Sequence, residues 1–207
     1  MMPEFAVTGA SGFVGSALCA ELTKRGYPVR AIVRTESSID LDGCQIIRVP
    51  GIAGDTDWQD SFQGISTVIH LAARVHVMCD DALDPLDEFR KTNVAGTVNI
   101  ARAAIASGVK RLVYVSSVKV NGESTGLHDS FTEDDRPCPQ DPYGISKWES
   151  EQSLHHIAAE TGLEVVIVRC PLVYGPNVKG NFAQMLRVVE KGIPLHLGSV
   201  RNSRSLI

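Results

Sequence analysis

The chain has 207 residues, which is enough for one large α/β domain or for one domain and part of a second. Hydrophobic residues make up 43% of it and charged residues 21%, as expected of a soluble globular protein with a sizeable core. Its net charge of −4, without any run of lysine and arginine, argues against nucleic-acid binding. No apolar stretch has the length of a membrane span, and the N-terminus lacks the basic region of a signal peptide.

Five cysteines are scattered along the chain without a C-x-x-C pair. An odd number of cysteines without metal-type spacing predicts reduced thiols in the cytoplasm, and neither a zinc site nor a disulfide framework. The six histidines share no metal spacing with acidic residues, so we expect no metal site.

The first motif is the glycine-rich stretch of residues 7–15, which follows a short apolar run and precedes apolar residues at helical spacing. A strand, a tight turn and a helix N-terminus in this order present N–H groups and the positive end of the helix dipole to a pyrophosphate. The spacing G-x-x-G-x-x-G is a variant of the dinucleotide-binding fingerprint, although ordinary strand-to-helix turns also carry such glycines. The candidate cofactor-binding residues here are Gly9, Ser11, Gly12, Phe13, Val14 and Gly15.

Apolar runs and helical patterns alternate along the rest of the chain. Strands are predicted at residues 5–7, 29–33, 44–49, 67–73, 112–115 and 164–168, with a further short strand at 195–197. Helices are predicted after residue 12, within 51–63, and at 84–107, 143–161 and 182–191. This alternation predicts an α/β fold of the Rossmann type, a doubly wound parallel sheet that binds its ligands at the carboxyl ends of the strands.

Arg34 stands at the tip of the second predicted strand, where NAD-binding units usually carry an acid for the ribose 2′-hydroxyl. A cation at this place suits the 2′-phosphate of NADP, so this residue favours NADP(H) over NAD(H). The alternative is a solvated surface arginine, which leaves both cofactors open.

Tyr143 and Lys147 lie four residues apart at the start of a predicted helix and so share one face. Ser116 and Ser117 end the preceding predicted strand, at the same edge of the sheet. A tyrosine can act as a general acid or base when its pKa falls from about 10 toward neutrality, which a neighbouring ammonium promotes. With a serine hydroxyl on the substrate oxygen, these groups suit hydride transfer between a carbinol and a nicotinamide. Taken alone, each motif is also common on exposed helix faces and strand ends.

Six segments carry, in order, a resemblance to a known family: residues 7–15, 70–73, 93–97, 115–117, 143–147 and 169–176. Through them the chain resembles the extended short-chain dehydrogenase/reductases, specifically the NAD-dependent epimerase/dehydratase group that acts on nucleotide sugars. The resemblance implies that Ser117 is the catalytic hydroxyl, Tyr143 the acid/base and Lys147 the cation that holds the cofactor. It also implies a set of cofactor-binding residues, namely Ile52, Leu71, Ala72, Ala73, Asn93, Ser116, Tyr143, Lys147, Pro171 and Leu172.

The same resemblance implies which residues contact a UDP-sugar: Arg74, Ser117, Lys119, Asn181 and Arg204. Sugar dehydratases carry an Asp-Glu pair after the catalytic hydroxyl, but this chain has Val118 and Lys119, which leaves 4-epimerases and 4-reductases. Gly51 and Ile52 replace the Asp-Leu pair with which the family often binds adenine. Residues 72–78 and 116–123 look most like bacterial O-antigen enzymes that reduce a 4-keto-N-acetylsugar on UDP, many of whose relatives are called UDP-glucose 4-epimerases.

The expected function is therefore NAD(P)-dependent hydride transfer at C4 of a UDP-hexose or UDP-N-acetyl-hexosamine, in the synthesis of O-antigen sugars. One alternative is a catalytically inactive NAD(P)-binding module of the same fold. Another is a reductase of small carbonyls, which the polar residues Asn181 and Arg204 disfavour because such an enzyme needs an apolar pocket.

Two domains are expected, with residues 1–175 binding NAD(P) and residues 176–207 forming a truncated part of the nucleotide-sugar-binding domain. Because the chain is substantially shorter than the family norm, we expect a whole cofactor site and an incomplete cover over the sugar. The resemblance also implies a homodimer, formed as a four-helix bundle by the long helices at 84–107 and 143–161.

Overall fold

The computed structural model describes residues 4–58, 60–75, 84–126, 129–178, 180–194 and 203–207. They belong to two compact units, Met1–Arg169 and Cys170–Ile207. The first unit holds nearly all of a six-stranded sheet, and the second holds one helix and a short bridge. The assignment of residues 1–175 to cofactor binding and 176–207 to substrate binding stays a prediction.

Six strands form one sheet: β1 (Phe5–Thr8), β2 (Val29–Arg34), β3 (Cys44–Val49), β4 (Thr67–His70), β5 (Arg111–Ser117) and β6 (Glu164–Cys170). Their order is β3-β2-β1-β4-β5-β6. The pairs β1–β2, β1–β4, β2–β3 and β4–β5 are all parallel. This is the strand order of the doubly wound dinucleotide-binding sheet, so the predicted fold class is confirmed. The order reverses between β1 and β4, which is where such sheets bind ligands.

Both faces of the sheet are buried by hydrophobic clusters. Ala6 and Ile32 belong to one cluster, whereas their neighbours in sequence, Val7 and Ala31, belong to the other. Successive strand residues point to opposite faces, so a strand that is buried on both faces reads as a continuous apolar run. The apolar runs in the sequence therefore predicted the strands well, although β4 ends at His70, three residues earlier than expected.

The helices are α1 (Phe13–Lys24), α2 (Pro85–Phe89), α3 (Gly96–Ala106), α4 (Pro142–Thr161) and α5 (Gly180–Glu190). The long helix predicted at residues 84–107 is present, but its middle, Arg90–Ala95, is π-helical and joins α2 to α3. Such π segments are rare and occur often at functional sites. None of the helices found in the described ranges has both the length and the apolarity to cross a bilayer.

Local signals fix the ends of α4. The Asp141 carboxylate caps its N-terminus by accepting a hydrogen bond from the Gly144 N–H at 2.6 Å, and Pro142 occupies the first turn. Gly162 ends the helix in the left-handed conformation, with φ at 74°. Because the cap sets where the helix begins, it also sets the position of Tyr143, the second residue of α4.

The helix predicted within residues 51–63 is wrong, because the described residues there form turns. The Thr56 hydroxyl donates to the Gly51 carbonyl at 3.1 Å and accepts from the Ala53 N–H at 3.0 Å. The Asn99 amide donates to the carbonyls of Ala53 and Thr56. Side chains that satisfy the backbone locally compete with helical hydrogen bonds, which explains the loss of the helix.

The second unit contains α5 and a short pairing of two segments. Leu172 and Leu206 form a parallel bridge, and the Tyr174 N–H donates to the Ile207 carbonyl at 2.9 Å. The rings of Tyr174 and Phe182 lie 6.1 Å apart. The strand predicted at 195–197 falls outside the described residues.

The turn between β1 and α1 leaves no room for side chains on two of its glycines. Gly9 has a φ of +70°, and a Cβ there would lie 2.8 Å from the Ala72 nitrogen. A Cβ on Gly15 would lie 2.2 Å from the Gly9 carbonyl oxygen. Such contacts are closer than any real Cβ tolerates, so the backbone of the turn is packed against both the helix and the chain after β4.

We expect Gly15→Ala to lower the free energy of unfolding by about 1–3 kcal/mol, because the added methyl group must displace backbone atoms. Urea unfolding of the two proteins measures the difference. Gly51→Ala is the matched control, since a Cβ there meets no atom within 4 Å. Its effect should stay within about 0.5 kcal/mol. Equal effects of the two substitutions would contradict the close packing of the turn.

Candidate active site

The N-terminus of α1 is open to an anion. Its N-cap residue, Gly12, has an extended backbone, and no side chain among the described residues caps the helix. The first N–H groups of a helix lack partners within the helix, and together with the helix dipole they bind phosphates. Ser11 and Gly12 are exposed beside them, and Val14 is 38% exposed, whereas Gly15 is buried.

These features fit the pyrophosphate of a dinucleotide. The glycine backbone is bare and closely packed, the helix N-terminus is uncapped, and the turn lies at the carboxyl edge of the sheet. A ligand phosphate can approach such a backbone without meeting a Cβ. The residues present therefore suit the cofactor that the sequence motif predicts.

Other predicted cofactor residues lie at the same edge. Arg34 is the last residue of β2 and is exposed. Leu71, Ala72 and Ala73 follow β4 and are half-buried. Ile52 packs against the hydrophobic cluster that contains Ala6 and Ile32, and it lies close to Gly96, the first residue of α3. Their contacts with a cofactor stay predictions.

The structure brings together the three predicted catalytic residues. Tyr143 and Lys147 lie one turn apart on α4, and Ser117 ends β5. The Lys147 ammonium is buried, donates to the Val115 carbonyl at 2.7 Å and lies 4.2 Å from the centre of the Tyr114 ring. Ser117 is near enough to Tyr143 to influence its pKa, and its hydroxyl accepts a hydrogen bond from the Lys119 N–H at 3.2 Å.

The pKa of Tyr143 is set by opposing effects. Burial raises it above its ordinary value, and Tyr114 and Asp141 act in the same direction. The Lys147 ammonium and the nearby Ser117 hydroxyl lower it, as the sequence predicted for Lys147. Burial is the largest of these effects, so the protein's own groups do not bring the phenol to neutrality as the sequence led us to expect.

Asn93, a predicted cofactor residue of the π segment, is buried and holds two parts of the chain together. Its amide nitrogen donates to the Arg74 carbonyl at 3.1 Å and to the Ser146 hydroxyl at 2.9 Å. Its amide oxygen accepts from the Arg74 N–H at 2.8 Å. The chain after β4 is thereby tied to α4, and the guanidinium of Arg74 lies over the Phe89 ring at 5.5 Å. A cofactor contact of Asn93 and a sugar contact of Arg74 stay predictions.

Lys119, a predicted substrate residue, is engaged in ion pairs within the protein. Its ammonium donates to Asp141 at 2.5 Å and to Glu123 at 2.9 Å. Because Asp141 also caps α4, Lys119 connects the turn after Ser117 to the start of that helix. A contact between Lys119 and a sugar nucleotide would have to compete with these pairs.

Four predicted residues belong to the second unit. Pro171 and Leu172 follow β6, Asn181 lies in the first turn of α5, and Arg204 is exposed near the end of the chain. The side chain of Asn181 falls outside the described residues. The roles of these four residues stay predictions.

Sequence reasoning missed a buried carboxylate beside the site. Glu151 lies on the same face of α4 as Tyr143 and Lys147, one turn beyond the lysine. It accepts a hydrogen bond from Ser116 at 2.5 Å and pairs with Arg169 at 2.7 Å. Glu151 follows Lys147 by four residues and Tyr143 by eight, and this helical spacing was the signal in the sequence that could have identified it. The Ser116 hydroxyl is thus bonded to Glu151. The predicted contact between Ser116 and a cofactor would therefore involve the backbone of Ser116.

A buried histidine was also noted in the sequence without a role. His70 ends β4, with its Nδ1 2.7 Å from the Thr8 hydroxyl and its Nε2 3.0 Å from the Thr97 hydroxyl. Burial, together with the smaller effect of the Lys147 charge, lowers its pKa to about 3. The imidazole is therefore neutral and ties β1, β4 and α3 together beneath the site.

Comparison with known proteins identifies the family. Residues 5–207 match the family described as the NAD dependent epimerase/dehydratase family. The chain belongs to this family. The resemblance drawn from the six sequence segments is thereby confirmed.

Individual members of the epimerase/dehydratase family resemble the chain along nearly all of its length. A UDP-glucose 4-epimerase of Vibrio cholerae is 44% identical over 209 residues, which cover 100% of this chain and 63% of that protein. The structure of MoeE5 in complex with UDP-glucuronic acid and NAD is 32% identical, with a TM-score of 0.77 over 93% of this chain and 63% of that one. A UDP-glucose 4-epimerase of Thermotoga maritima, solved with UDP-glucose, is 26% identical with a TM-score of 0.79, over 99% of this chain and 69% of that one.

The chain therefore spans less than two thirds of the curated relatives that it matches, at 63% of the first and 60% of the second. The part that it shares with them contains the sheet and the candidate site. The family is NAD-dependent, and the solved relative MoeE5 holds NAD.

We expect His70 to make the fold sensitive to acid. A histidine in an unfolded chain titrates near pH 6.5. Between about pH 6.5 and 3, His70 is therefore protonated in the unfolded state and neutral in the folded state. Stability should fall as the pH falls through this window, by at most about 1.4 kcal/mol per pH unit.

Urea unfolding at pH 7 and at about pH 4.5, for wild type and His70→Gln, isolates this contribution because glutamine stays neutral and other acids titrate in both proteins. The expected difference between the two pH dependences is about 2–3 kcal/mol. His156→Gln serves as control, because that side chain is 74% exposed. Parallel pH dependences of wild type and His70→Gln would contradict the account.

Proposed function

We propose that the chain is the cofactor-binding and catalytic part of an NAD(P)-dependent enzyme that acts at C4 of a UDP-hexose or UDP-N-acetyl-hexosamine. The main support for the proposal is that Ser117, Tyr143 and Lys147 lie together at the carboxyl edge of the sheet. The glycine turn before α1 lies at the same edge. Membership of the epimerase/dehydratase family and the similarity to UDP-glucose 4-epimerases support it.

The residues present suggest one role each. The glycine turn would hold the pyrophosphate of NAD(P), which supplies the hydride acceptor and donor when bound. Tyr143 would take the proton of the C4 hydroxyl when the alcohol is oxidised and return it when the ketone is reduced. Ser117 would bind the same sugar oxygen and align it with Tyr143. The Lys147 charge would favour the phenolate and so oppose the effect of burial.

Within this proposal the reaction is a 4-epimerisation or a 4-reduction. Val118 and Lys119 stand where the dehydratases have an acidic pair, and Lys119 is engaged by Asp141 and Glu123. This arrangement disfavours water elimination. An epimerase restores its cofactor in every turnover, whereas a reductase consumes one external NADPH or NADH per sugar, so cofactor consumption distinguishes the two. Action on a UDP-N-acetylated sugar would fit the synthesis of O-antigen sugars. A homodimer through the helices at 84–107 and 143–161 is part of the proposal.

We expect Tyr143→Phe to lower kcat about 10²–10⁴-fold, because phenylalanine cannot exchange the C4 proton. The assay follows conversion of UDP-glucose and UDP-N-acetylglucosamine by NMR, with NAD⁺ or NADPH added. Binding of the cofactor should change little, since the aromatic ring remains.

Tyr27→Phe is the matched control, because Tyr27 packs edge-on against Phe5 immediately before β2, away from the carboxyl edge of the sheet. It should keep the wild-type rate. A Tyr143→Phe protein as fast as wild type would contradict the assignment, and a wild type inactive on every sugar nucleotide would favour the inactive binding module.

We expect Arg34→Ala to weaken binding of NADP⁺ about tenfold or more and to leave NAD⁺ binding unchanged, because a hydrogen bond to a charged group contributes about 1.5–3 kcal/mol. Quenching of tryptophan fluorescence measures both dissociation constants. Arg25→Ala is the control, since Arg25 is an exposed arginine paired with Glu21 at the other end of α1. Unchanged NADP⁺ affinity would make Arg34 a solvated surface residue.

A further inference from the structure

One face of α4 lies against the end of β5 over three successive turns. Tyr143 lies near Ser117, Lys147 donates to the Val115 carbonyl, and Glu151 accepts from Ser116. The first two contacts involve groups proposed to act in catalysis. The third lies about 12 Å along the helix from Tyr143, since a helix rises about 1.5 Å per residue.

The Glu151 carboxylate is fully buried and held on two sides. Arg169, near the end of β6, donates to it from Nε at 3.1 and 3.2 Å and from Nη2 at 2.7 Å. The same guanidinium donates from Nη1 to the Asn121 amide oxygen at 3.3 Å, and the Asn121 nitrogen donates to the Thr132 carbonyl at 3.0 Å. The ion pair therefore contacts both ends of segment 116–121, within which Ser117 lies.

Stability alone is a weak reason for this arrangement. Removing two charges from water costs several kcal/mol per ion, and buried ion pairs can often be replaced by apolar residues of similar volume without loss of stability. Directional hydrogen bonds, in contrast, fix orientation. Because successive strand residues point in opposite directions, holding the Ser116 hydroxyl against Glu151 also fixes the direction of the next side chain, Ser117.

We propose that Glu151 and Arg169 are positioning residues: their ion pair holds both ends of segment 116–121 so that the Ser117 hydroxyl stays on the side of β5 where Tyr143 lies. The pair touches neither substrate nor cofactor in this role. The kinetic consequence rests on the proposed function, whereas the geometric consequence does not.

The decisive variants separate orientation from stability. Glu151→Met combined with Arg169→Met removes both charges and keeps the volume, so the unfolding temperature should stay near that of wild type. It also removes the acceptor of Ser116 and the donor of Asn121, so kcat should fall about a hundredfold, as expected for a misplacement of about 1 Å. The KM for the UDP-sugar and the dissociation constant for NAD⁺ should change less than about threefold, because these sites are untouched.

Ser116→Ala tests the same contact without altering the charges, and it decides the matter if the double variant does not fold. We expect kcat to fall about tenfold, since one hydrogen bond is lost, and the unfolding temperature to fall by only a few degrees, because Arg169 still pairs with the carboxylate. Glu164→Gln is the matched control. It breaks the Arg111–Glu164 pair, which also connects β5 to β6 at 2.7 Å, but at the opposite edge of the sheet and exposed to solvent. Its kcat should equal that of wild type.

Crystal structures of wild type, Ser116→Ala and the double variant supply a readout that needs no activity. The Ser117–Tyr143 hydroxyl separation should be larger in both variants than in wild type. A separation as short as in wild type, or a stable double variant with the kcat of wild type, would overturn the proposal. If wild type turned over no sugar nucleotide, the proposed function would fail and the crystallographic separations alone would decide the positioning role.

Discussion

The candidate site depends on how α4 lies against the carboxyl end of β5. Asp141 caps the helix through the Gly144 N–H and pairs with Lys119, so the start of α4 is tied to the turn that follows Ser117. Farther along the helix, Lys147 holds the Val115 carbonyl. A helix fixed at both its start and its second turn cannot slide along the strand. The distance between the proposed acid/base and the proposed hydroxyl is therefore set by contacts outside the reacting groups.

The same packing buries three ionisable side chains, whose charged forms are costly to remove from water. Lys147, Glu151 and His70 are all buried, and each is satisfied differently: the lysine by a carbonyl and an aromatic ring, the glutamate by Arg169, and the histidine by staying neutral. Removal of water strengthens every remaining charge interaction. This explains why burial dominates the pKa of Tyr143 and why a lysine one turn away is needed to oppose it.

Much of the fold and part of the candidate site could be predicted from local sequence. Buried strands read as apolar runs, Gly162 ends α4, and the spacing of Tyr143 and Lys147 placed them on one face. The features that the sequence did not predict depend on contacts between distant segments. The turns within 51–63 depend on bonds from Asn99, and the buried Asn93 of the π segment is bonded to Arg74 and Ser146. The partnership of Glu151 with Arg169 likewise needs β6 beside β5. Spacing along a single helix gives no information on such partners.

Calorimetric titration of the folded chain with NAD⁺ and NADP⁺ tests whether the glycine turn, the chain after β4 and the α4 face already form a dinucleotide site. We expect saturable binding of at least one cofactor with one site per chain, and weaker binding when Gly15 is replaced by alanine. A chain that unfolds cooperatively, and is therefore folded, but takes up neither cofactor would contradict the presence of this site.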